Sequence, residues 1–339
     1  NSWYHLNIGR PDHRMTEAES LETIAFIGRE LVRKRGVTLD AFVWDDGWDD
    51  FNSLWEFHHG FPNGFSATRK AGEAFGASQG VWISPWGGYG KPKALRLEHG
   101  KSQGYETNDR GFAMSGPKYR NAFRSVCLKM MRQYGVAFFK FDGMGAGCNV
   151  SGAQRELAND IDSVLALTGE LRQQRPDLFI SATVGTWPSP YWTFYADSIW
   201  RQGADTEFHG PGNGREQWIT YRDMSACQRI VRRAPLYPLN SLMLHGPCIG
   251  DRANPSRMDR DEASVAHEMW TFFGSGTGLQ ELYISPHLLT GGMWDTLACA
   301  ARWSRENADV LADAHWIGGD PGAVEVYGFA SWSPRKGIV

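Results

Sequence analysis

Apolar segments of strand length alternate along this chain with amphipathic segments of helix length. The short segments are rich in β-branched and aromatic residues and are mostly apolar on both faces, which is typical of parallel strands covered by helices. Eight segments have this character: residues 3–8, 41–44, 81–84, 136–141, 179–183, 198–200, 239–244 and 280–284.

The longer segments between these strands predict helices. One begins with Thr16-Glu-Ala-Glu19, a capping-box pattern, and another has Pro117 just inside its start. The predicted helices span residues 16–35, 66–78, 117–134, 151–174, 215–233, 260–274 and 293–311.

Eight strands alternating with helices predict a (β/α)8 TIM barrel over residues 1–314, with a doubly wound open sheet as the alternative. After the last helix, residues 324–333 alternate between apolar and polar side chains, as antiparallel strands do. We therefore expect residues 315–339 to be the truncated start of a C-terminal antiparallel β-domain, a β-sandwich.

The composition narrows the range of partners. The net charge is −3 and no basic stripe is present, so nucleic acid is not an expected partner. No run reaches the roughly 18 apolar residues of a membrane helix, so we expect no membrane span. The chain has 15 Trp, 11 Tyr and 18 Phe, which we assign mainly to the core and in a few cases to sugar platforms.

Neither the cysteines nor the histidines have the spacing of a metal site. The histidines are too dispersed for zinc, so we expect no metal and no cofactor, with a metal-dependent barrel hydrolase as an alternative. The odd number of cysteines predicts core thiols with at most one bridged pair. They are Cys127, Cys148, Cys227, Cys248 and Cys299.

Carboxylates follow several of the predicted strands. Asp142 closes the strand at 136–141, Asp45 and Asp46 close the strand at 41–44, and Asp205 follows residues 198–200. Acids at the C-terminal tips of different strands are how a β/α barrel builds an active site, and two of them as a pair can cleave glycosidic bonds. A helix-capping turn is the alternative interpretation of Asp142.

Neighbouring residues indicate a role for each catalytic candidate. Lys140 points to the same side of its strand as Asp142 and would keep that carboxylate ionised, as a nucleophile requires. Asp205 lies among aromatic residues that would favour a protonated general acid, with Glu207 and Asp197 as rival candidates.

The adjacent acids Asp45 and Asp46 indicate a binding role. Without a positive partner in the sequence nearby, they suit the hydroxyl groups of a sugar, while Asp49 is expected in solvent. Trp86 is a further candidate for contact with the sugar.

Three motifs together resemble the melibiases of glycoside hydrolase clan D, families 27 and 36. The resemblance implies a retaining exo-α-glycosidase for terminal α-galactosyl-type sugars, in which Asp142 forms a covalent glycosyl enzyme and Asp205 acts as acid and then as base. The motifs are Asp45-Asp46-Gly47-Trp48, Lys140-Phe141-Asp142, and Trp200-Arg201 followed by Asp205.

The same resemblance implies contacts with the sugar ring. Asp45, Asp46 and Lys140 would hold the hydroxyls of the third, fourth and sixth carbons and thereby select galacto sugars. Arg201 would lie near the hydroxyls of the second and third carbons.

One segment departs from the family pattern. In family 27 α-galactosidases a bulky Glu-Trp-Pro segment crowds the second carbon, whereas this chain has Thr186-Trp187-Pro188-Ser189. Small residues at Thr186 and Ser189, beside Trp187, would widen the pocket. An α-N-acetylgalactosaminidase or α-galactosaminidase is therefore the alternative to an α-galactosidase.

Other functional classes stay open from the sequence. Transglycosylation could use the same covalent intermediate, and a non-catalytic carbohydrate-binding barrel is an alternative of a different class. The expected partner is an oligosaccharide or glycoconjugate with a terminal α-galactosyl-type sugar, and a homo-oligomer is among the expected assemblies. A secreted or periplasmic location is expected over a cytoplasmic one.

Overall fold

The computed structural model describes residues 1–10, 12, 14–144 and 154–339 of the chain. Its strands are β1 (Ala41–Trp44), β2 (Ser78–Ile83), β3 (Thr107–Asn108), β4 (Gly111–Phe112), β5 (Val136–Phe141), β6 (Phe179–Ala182), β7 (Ser198–Trp200), β8 (Leu242–Met243), β9 (Cys248–Ile249), β10 (Tyr283–Ile284), β11 (Ala314–Gly318), β12 (Tyr327–Ser333) and β13 (Lys336–Ile338). Its α-helices are α1 (Glu17–Ile27), α2 (Ser66–Glu73), α3 (Gly90–Gln103), α4 (Pro117–Tyr134), α5 (Ala158–Gln174), α6 (Gly214–Ala226), α7 (Glu262–Gly274), α8 (Gly291–Glu306) and α9 (Ala308–Leu311).

A parallel sheet forms the centre of the molecule. Its six strands have the order β1-β2-β5-β6-β7-β8, and every neighbouring pair is parallel. Strands β9 and β10 form a separate parallel pair. Helices connect most of the successive strands, as parallel pairing requires. The parallel β/α architecture is thus confirmed, whereas a closed ring of eight strands stays a prediction.

The first predicted strand is wrong, because Trp3–Asn7 forms a π-helical turn. A short apolar run does not distinguish a buried strand from a buried helical turn. The start of the chain nevertheless lies between the six-stranded sheet and the β9–β10 pair. The Ser2 N–H donates to the Val43 carbonyl at 3.1 Å, and the Asn1 amino group donates to the Leu282 carbonyl at 2.9 Å. It therefore joins β1 to the chain beside β10.

The helix predictions are confirmed in type and differ mainly at their ends. The first three residues of the helix predicted at 151–174 lie outside the described residues. Helix α4 has the predicted limits, and Thr16 caps α1 through a complete capping box with Glu19. Helix α3 lies in a segment for which no helix was predicted. Its apolar residues include Leu95 and Leu97 but do not recur at helical spacing, so the sequence carries no amphipathic signal there.

The last three strands form an antiparallel sheet in the order β11-β12-β13. This sheet contacts α6 and the turn that follows it. The Tyr327 hydroxyl donates to Asp223 Oδ2 at 2.9 Å, and Gln228 Nε2 donates to Asp320 Oδ2 at 3.0 Å. An antiparallel sheet thus occupies the segment predicted to begin a β-domain, and the division at residue 314 stays a prediction.

Candidate active site

Asp142 lies directly after β5, at the edge where parallel strands end. Its side chain is half-buried, so solvent reaches it while the protein fixes its orientation. Among the described residues, the donors to this carboxylate come from the ends of β2 and β6 and from the residues that follow them. Oδ1 accepts from Tyr89 Oη at 2.9 Å, Thr183 Oγ1 at 2.7 Å and the Val184 N–H at 3.3 Å, and Oδ2 accepts from Trp82 Nε1 at 2.9 Å.

The backbone after Asp142 packs against an indole ring. Gly143 has φ +86°, and a Cβ atom there would lie 1.8 Å from Trp86 Nε1. Only glycine fits such a close approach with positive φ. Trp86 is 8% exposed and packs against the backbone that follows Asp142, and its contact with a sugar stays a prediction.

Two donors to Asp142 were missed in the sequence. Trp82 is in β2, and its side chain alternates with those of Val81 and Ile83, which places it on the opposite face of the sheet. Tyr89 follows two glycines, Gly87 and Gly88, in the connection to α3. The available signal was the position of aromatic residues close to a strand tip, which is weak in a chain with so many aromatic residues.

Lys140, two residues before Asp142, connects Asp45 and Glu281 through hydrogen bonds. Its ammonium group donates to Asp45 Oδ2 at 2.9 Å and to Tyr283 Oη at 3.2 Å, and Tyr283 Oη donates to Glu281 Oε2 at 2.8 Å. Burial opposes the charge of Lys140, but the negative charges of Asp45, Glu281 and Asp142 outweigh it and raise the lysine pKa. Asp45 therefore has a positive partner, contrary to the expectation from the sequence.

Asp46 also has a cationic partner, and Asp49 is not in solvent. Arg96 of α3 is completely buried and donates to Asp46 Oδ1 at 2.8 Å and to Asp49 Oδ1 and Oδ2 at 2.7 and 2.9 Å. Both expectations from the sequence are corrected. Arg96 is 50 residues from Asp46 and lies on the helix that was not predicted. Burial raises the pKa of Asp46 to about 6, and Asp49 and Asp45 act in the same direction, against Arg96.

Asp205 lies on the loop after β7. Although solvent reaches the residue, the surrounding protein disfavours the charged carboxylate and raises its pKa. The charges of Asp142 and Asp45 raise this pKa further, while Lys140 and Arg201 lower it. These interactions place Asp205 in the same electrostatic environment as the acids after β1 and β5.

Arg201 supports the loop that carries Asp205. The side chain is completely buried, and its guanidinium lies 4.4 Å from the centroid of the Trp200 ring. Burial lowers the pKa of Arg201 to about 10. Its contact with sugar hydroxyls stays a prediction. The guanidinium donates to the carbonyls of Gln202, Ala204, Asp205 and Leu244.

The segment after β6 contains the residues expected near the second sugar carbon. Thr186 is completely buried, and its hydroxyl donates to the Thr183 carbonyl at 2.8 Å. Its side chain thus packs against the protein in this structure, and its place beside the second sugar carbon stays a prediction. Trp187 and Ser189 are half-buried and keep accessible surface. The wider pocket at Thr186 and Ser189 stays a prediction.

The described residues contain no group of three or more His, Cys, Asp or Glu side chains that could hold a metal ion. In the same part of the chain, no helix has the length and hydropathy needed to cross a membrane. Cys148 lies outside the described residues. The described thiols are free, and they belong to Cys127, Cys227, Cys248 and Cys299.

Comparisons with known proteins find similarity in structure but no match in sequence. The sequence matches no protein-family model and no curated protein. The GH36 α-galactosidase AgaA from Geobacillus stearothermophilus, solved with raffinose, superposes with a TM-score of 0.67 at 13% identity, covering 94% of this chain and 44% of that one. An α-galactosidase from Lactobacillus brevis gives a TM-score of 0.65 at 15% identity, covering 94% and 42%.

A maltogenic α-amylase, AmyB from Thermotoga neapolitana, is also similar, with a TM-score of 0.58 at 12% identity over 93% of this chain and 80% of that one. The chain spans less than half the length of the α-galactosidases that it matches. The likeness shows that this chain shares the fold of these proteins, which is the fold that the resemblance to the melibiases implies.

Proposed function

We propose that this chain is the catalytic part of a retaining exo-α-glycosidase of the α-galactosidase type, built on a (β/α)8 barrel. One observation carries the proposal: two carboxyl groups from different strand tips interact electrostatically but have contrasting surroundings. Among the described residues, two hydroxyl groups, an indole and a backbone N–H orient Asp142, whereas desolvation by the surrounding protein raises the pKa of Asp205 on its solvent-accessible loop. A nucleophile and a general acid need this contrast.

In the first step, Asp142 attacks the anomeric carbon while Asp205 protonates the leaving glycosidic oxygen. The product is a glycosyl ester on Asp142, and the aglycone leaves with the proton. In the second step, Asp205 removes a proton from water, which attacks the anomeric carbon and releases the sugar and the Asp142 carboxylate.

The interaction between the two carboxyl groups supports the change in the role of Asp205. The negative charge of Asp142 raises the pKa of Asp205 in the free enzyme. Esterification removes that charge, so the pKa of Asp205 falls in the intermediate. Asp205 is therefore a protonated acid when the bond breaks and a better ionised base when water attacks.

The acids after β1 are suited to the sugar hydroxyls. Asp45 is held by Lys140, and Asp46 is held by Arg96, so each carboxylate is fixed and retains lone pairs that can accept hydrogen bonds. We assign Asp45, Asp46 and Lys140 to the third, fourth and sixth hydroxyls, as the family resemblance implies. Selection of galacto sugars follows from contact with the axial fourth hydroxyl.

A second candidate is an α-N-acetylgalactosaminidase or α-galactosaminidase. It is favoured by the segment after β6, where the carboxylate of family 27 α-galactosidases is replaced by Thr186, whose side chain is buried. The half-buried Ser189 beside it is small, so this side of the site has less bulk to exclude a 2-acetamido group.

A parallel assay of aryl α-galactoside, aryl α-N-acetylgalactosaminide and aryl α-galactosaminide tests the proposal. We expect hydrolysis of at least one of them with retention of the α-configuration in the first-formed product, and no turnover by Asp142→Asn. Inversion, or turnover by that variant, would exclude the mechanism. Product analysis with added acceptor sugars separates hydrolysis from transglycosylation.

A further inference from the structure

Arg96 contacts two acids, Asp46 and Asp49, and the loop between β2 and α3, next to the proposed sugar site. Its guanidinium is stacked 4.1 Å from the centroid of the Trp55 ring, and Trp55 packs edge-on against Trp82 at 5.8 Å. Trp82 is a donor to Asp142. The side chain of Arg96 thus contacts the aromatic layer that supports the proposed nucleophile.

The same guanidinium anchors the loop between β2 and α3. Nη1 donates to the Gly87 carbonyl at 3.0 Å, and a Cβ atom on Gly88 would lie 2.6 Å from Nη1. The loop therefore packs directly on Arg96. It continues into Tyr89, whose hydroxyl donates to Asp142 Oδ1 at 2.9 Å.

The two carboxylates bound to Arg96 are held unequally. Asp49 is completely buried and accepts from both Nε and Nη2, whereas Asp46 accepts only from Nη2. This leaves Oδ2 of Asp46 without a bond to the guanidinium. Asp49 therefore orients Arg96, and Arg96 in turn orients Asp46. Lysine cannot reproduce this forked geometry, because its ammonium group is a single point of charge.

We propose that Arg96 is a positioning residue of the sugar site, which holds Asp46 and the Gly87 loop so that the Asp46 carboxylate can accept hydrogen bonds from the substrate. The proposal rests on the proposed function, since the sugar is the ligand of Asp46 there. The charged groups that face Asp46 are Arg96, which lowers its pKa, and Asp49 and Asp45, which raise it. Arg96 stabilises the ionised form of Asp46, while both acids disfavour it.

Two substitutions beside Asp46 test the proposal because they should shift the pKa of Asp46 in opposite directions. Arg96→Gln removes the cation, so the pKa of Asp46 rises and the acidic limb of kcat/KM moves to higher pH. Asp49→Asn removes a negative neighbour and keeps an acceptor for Arg96, so the same limb moves to lower pH. We expect Arg96→Gln to raise KM at pH 6 by about fivefold or more, because a rise of one pKa unit from about 6 leaves roughly a tenth of Asp46 ionised instead of half, with a smaller change in kcat.

A double variant guards against a simple loss of folding. Arg96→Gln leaves Asp49 buried without a partner, which is costly. Arg96→Gln combined with Asp49→Asn removes both charges together, so it should fold better than Arg96→Gln alone, and the opposite effects of its two substitutions on the pKa of Asp46 should largely offset each other. At pH 8, where Asp46 is ionised, the lost contact between Arg96 and Asp46 should still keep KM raised. Recovery of wild-type KM in the double variant would overturn the proposal. Lysine at position 96 should restore stability more than it restores KM.

A titration that does not depend on turnover separates this proposal from the proposed function. The Asp46 signal in protein labelled at aspartate ¹³Cγ, assigned with Asp46→Asn, should titrate at higher pH in Arg96→Gln and at lower pH in Asp49→Asn. Shifts in the same direction, or no shift, would overturn the role of Arg96. Failure of the wild type to hydrolyse any α-galactosyl-type substrate would instead refute the proposed function, and the NMR titration would still decide how Arg96 acts on Asp46.

Discussion

At the scale of single residues, Asp142 and Asp205 show how neighbours set the role of a carboxyl group. Asp142 accepts bonds from an indole, two hydroxyl groups and a backbone N–H. Asp205 instead lies on a loop fixed by the buried Arg201, where desolvation by the surrounding protein disfavours its charge. The proposed division of labour follows from these surroundings, because the side chains themselves are chemically identical.

Asp205→Asn removes the proposed acid and base. We expect kcat/KM on substrates with poor leaving groups to fall by about 10²- to 10⁴-fold, because general acid catalysis is lost. Activated aryl glycosides need little protonation, so their first step should change far less. Equal losses on both substrate types in a leaving-group series would show that Asp205 is not the acid.

The same variant has a predicted pH signature. The pKa of Asp205 is raised, and only its protonated form can act as the acid, so wild-type activity should decline as pH rises through that pKa. Asp205→Asn has no proton to lose and should lack this basic limb. A basic limb that persists unchanged in the pH profile of kcat/KM would assign the acid to another residue.

Trp82→Phe removes one donor from Asp142 and keeps the ring. We expect turnover to fall by about 10- to 100-fold, which corresponds to the roughly 1.5–3 kcal/mol of a hydrogen bond to a charged group. Trp316→Phe is a matched control, because its indole N–H donates to the Gly319 carbonyl in the antiparallel sheet. Steady-state kinetics showing equal losses in both variants would contradict the role of Trp82.

At the scale of elements, the strand tips bring together residues that are far apart in the sequence. Asp142 follows β5, but its donors come from β2, β6 and the loops after them, and Thr183 is 41 residues away. The parallel arrangement alone accounts for this, because the carboxyl ends of parallel strands meet at one edge. Each tip therefore contributes a side chain or a backbone N–H to one site.

Gly143→Ala tests how closely the tip of β5 packs against Trp86 in the loop between β2 and α3. The new Cβ would collide with Trp86, and alanine disfavours φ +86°. We expect a loss of about 1–3 kcal/mol in the free energy of unfolding and a fall in turnover. Gly76→Ala has a similar φ of +73° with no atom within 4 Å of its Cβ, so it controls for the backbone effect. Urea unfolding showing equal losses in both would exclude the collision.

At the scale of the whole molecule, the sequence predicted those features that follow from the local pattern of apolar and polar residues. Alternating apolar segments predicted the parallel sheet, and acids after strands predicted the carboxylates of the site. The partners of those acids could not be predicted, since Arg96 lies 50 residues from Asp46 on a helix without amphipathic spacing. The strand predicted at residues 3–8 was wrong for a related reason, because a short apolar run does not distinguish a buried strand from the buried helical turn found at Trp3–Asn7.

Trapping of the covalent intermediate tests the central claim most directly. A fluorinated α-galactosyl fluoride that forms the glycosyl enzyme quickly and hydrolyses slowly should add one sugar mass to the intact protein. Peptide mass spectrometry should place that sugar on Asp142, and Asp142→Asn should remain unlabelled. A label on any other residue, or turnover of α-galactosides with net inversion and no label, would contradict the account.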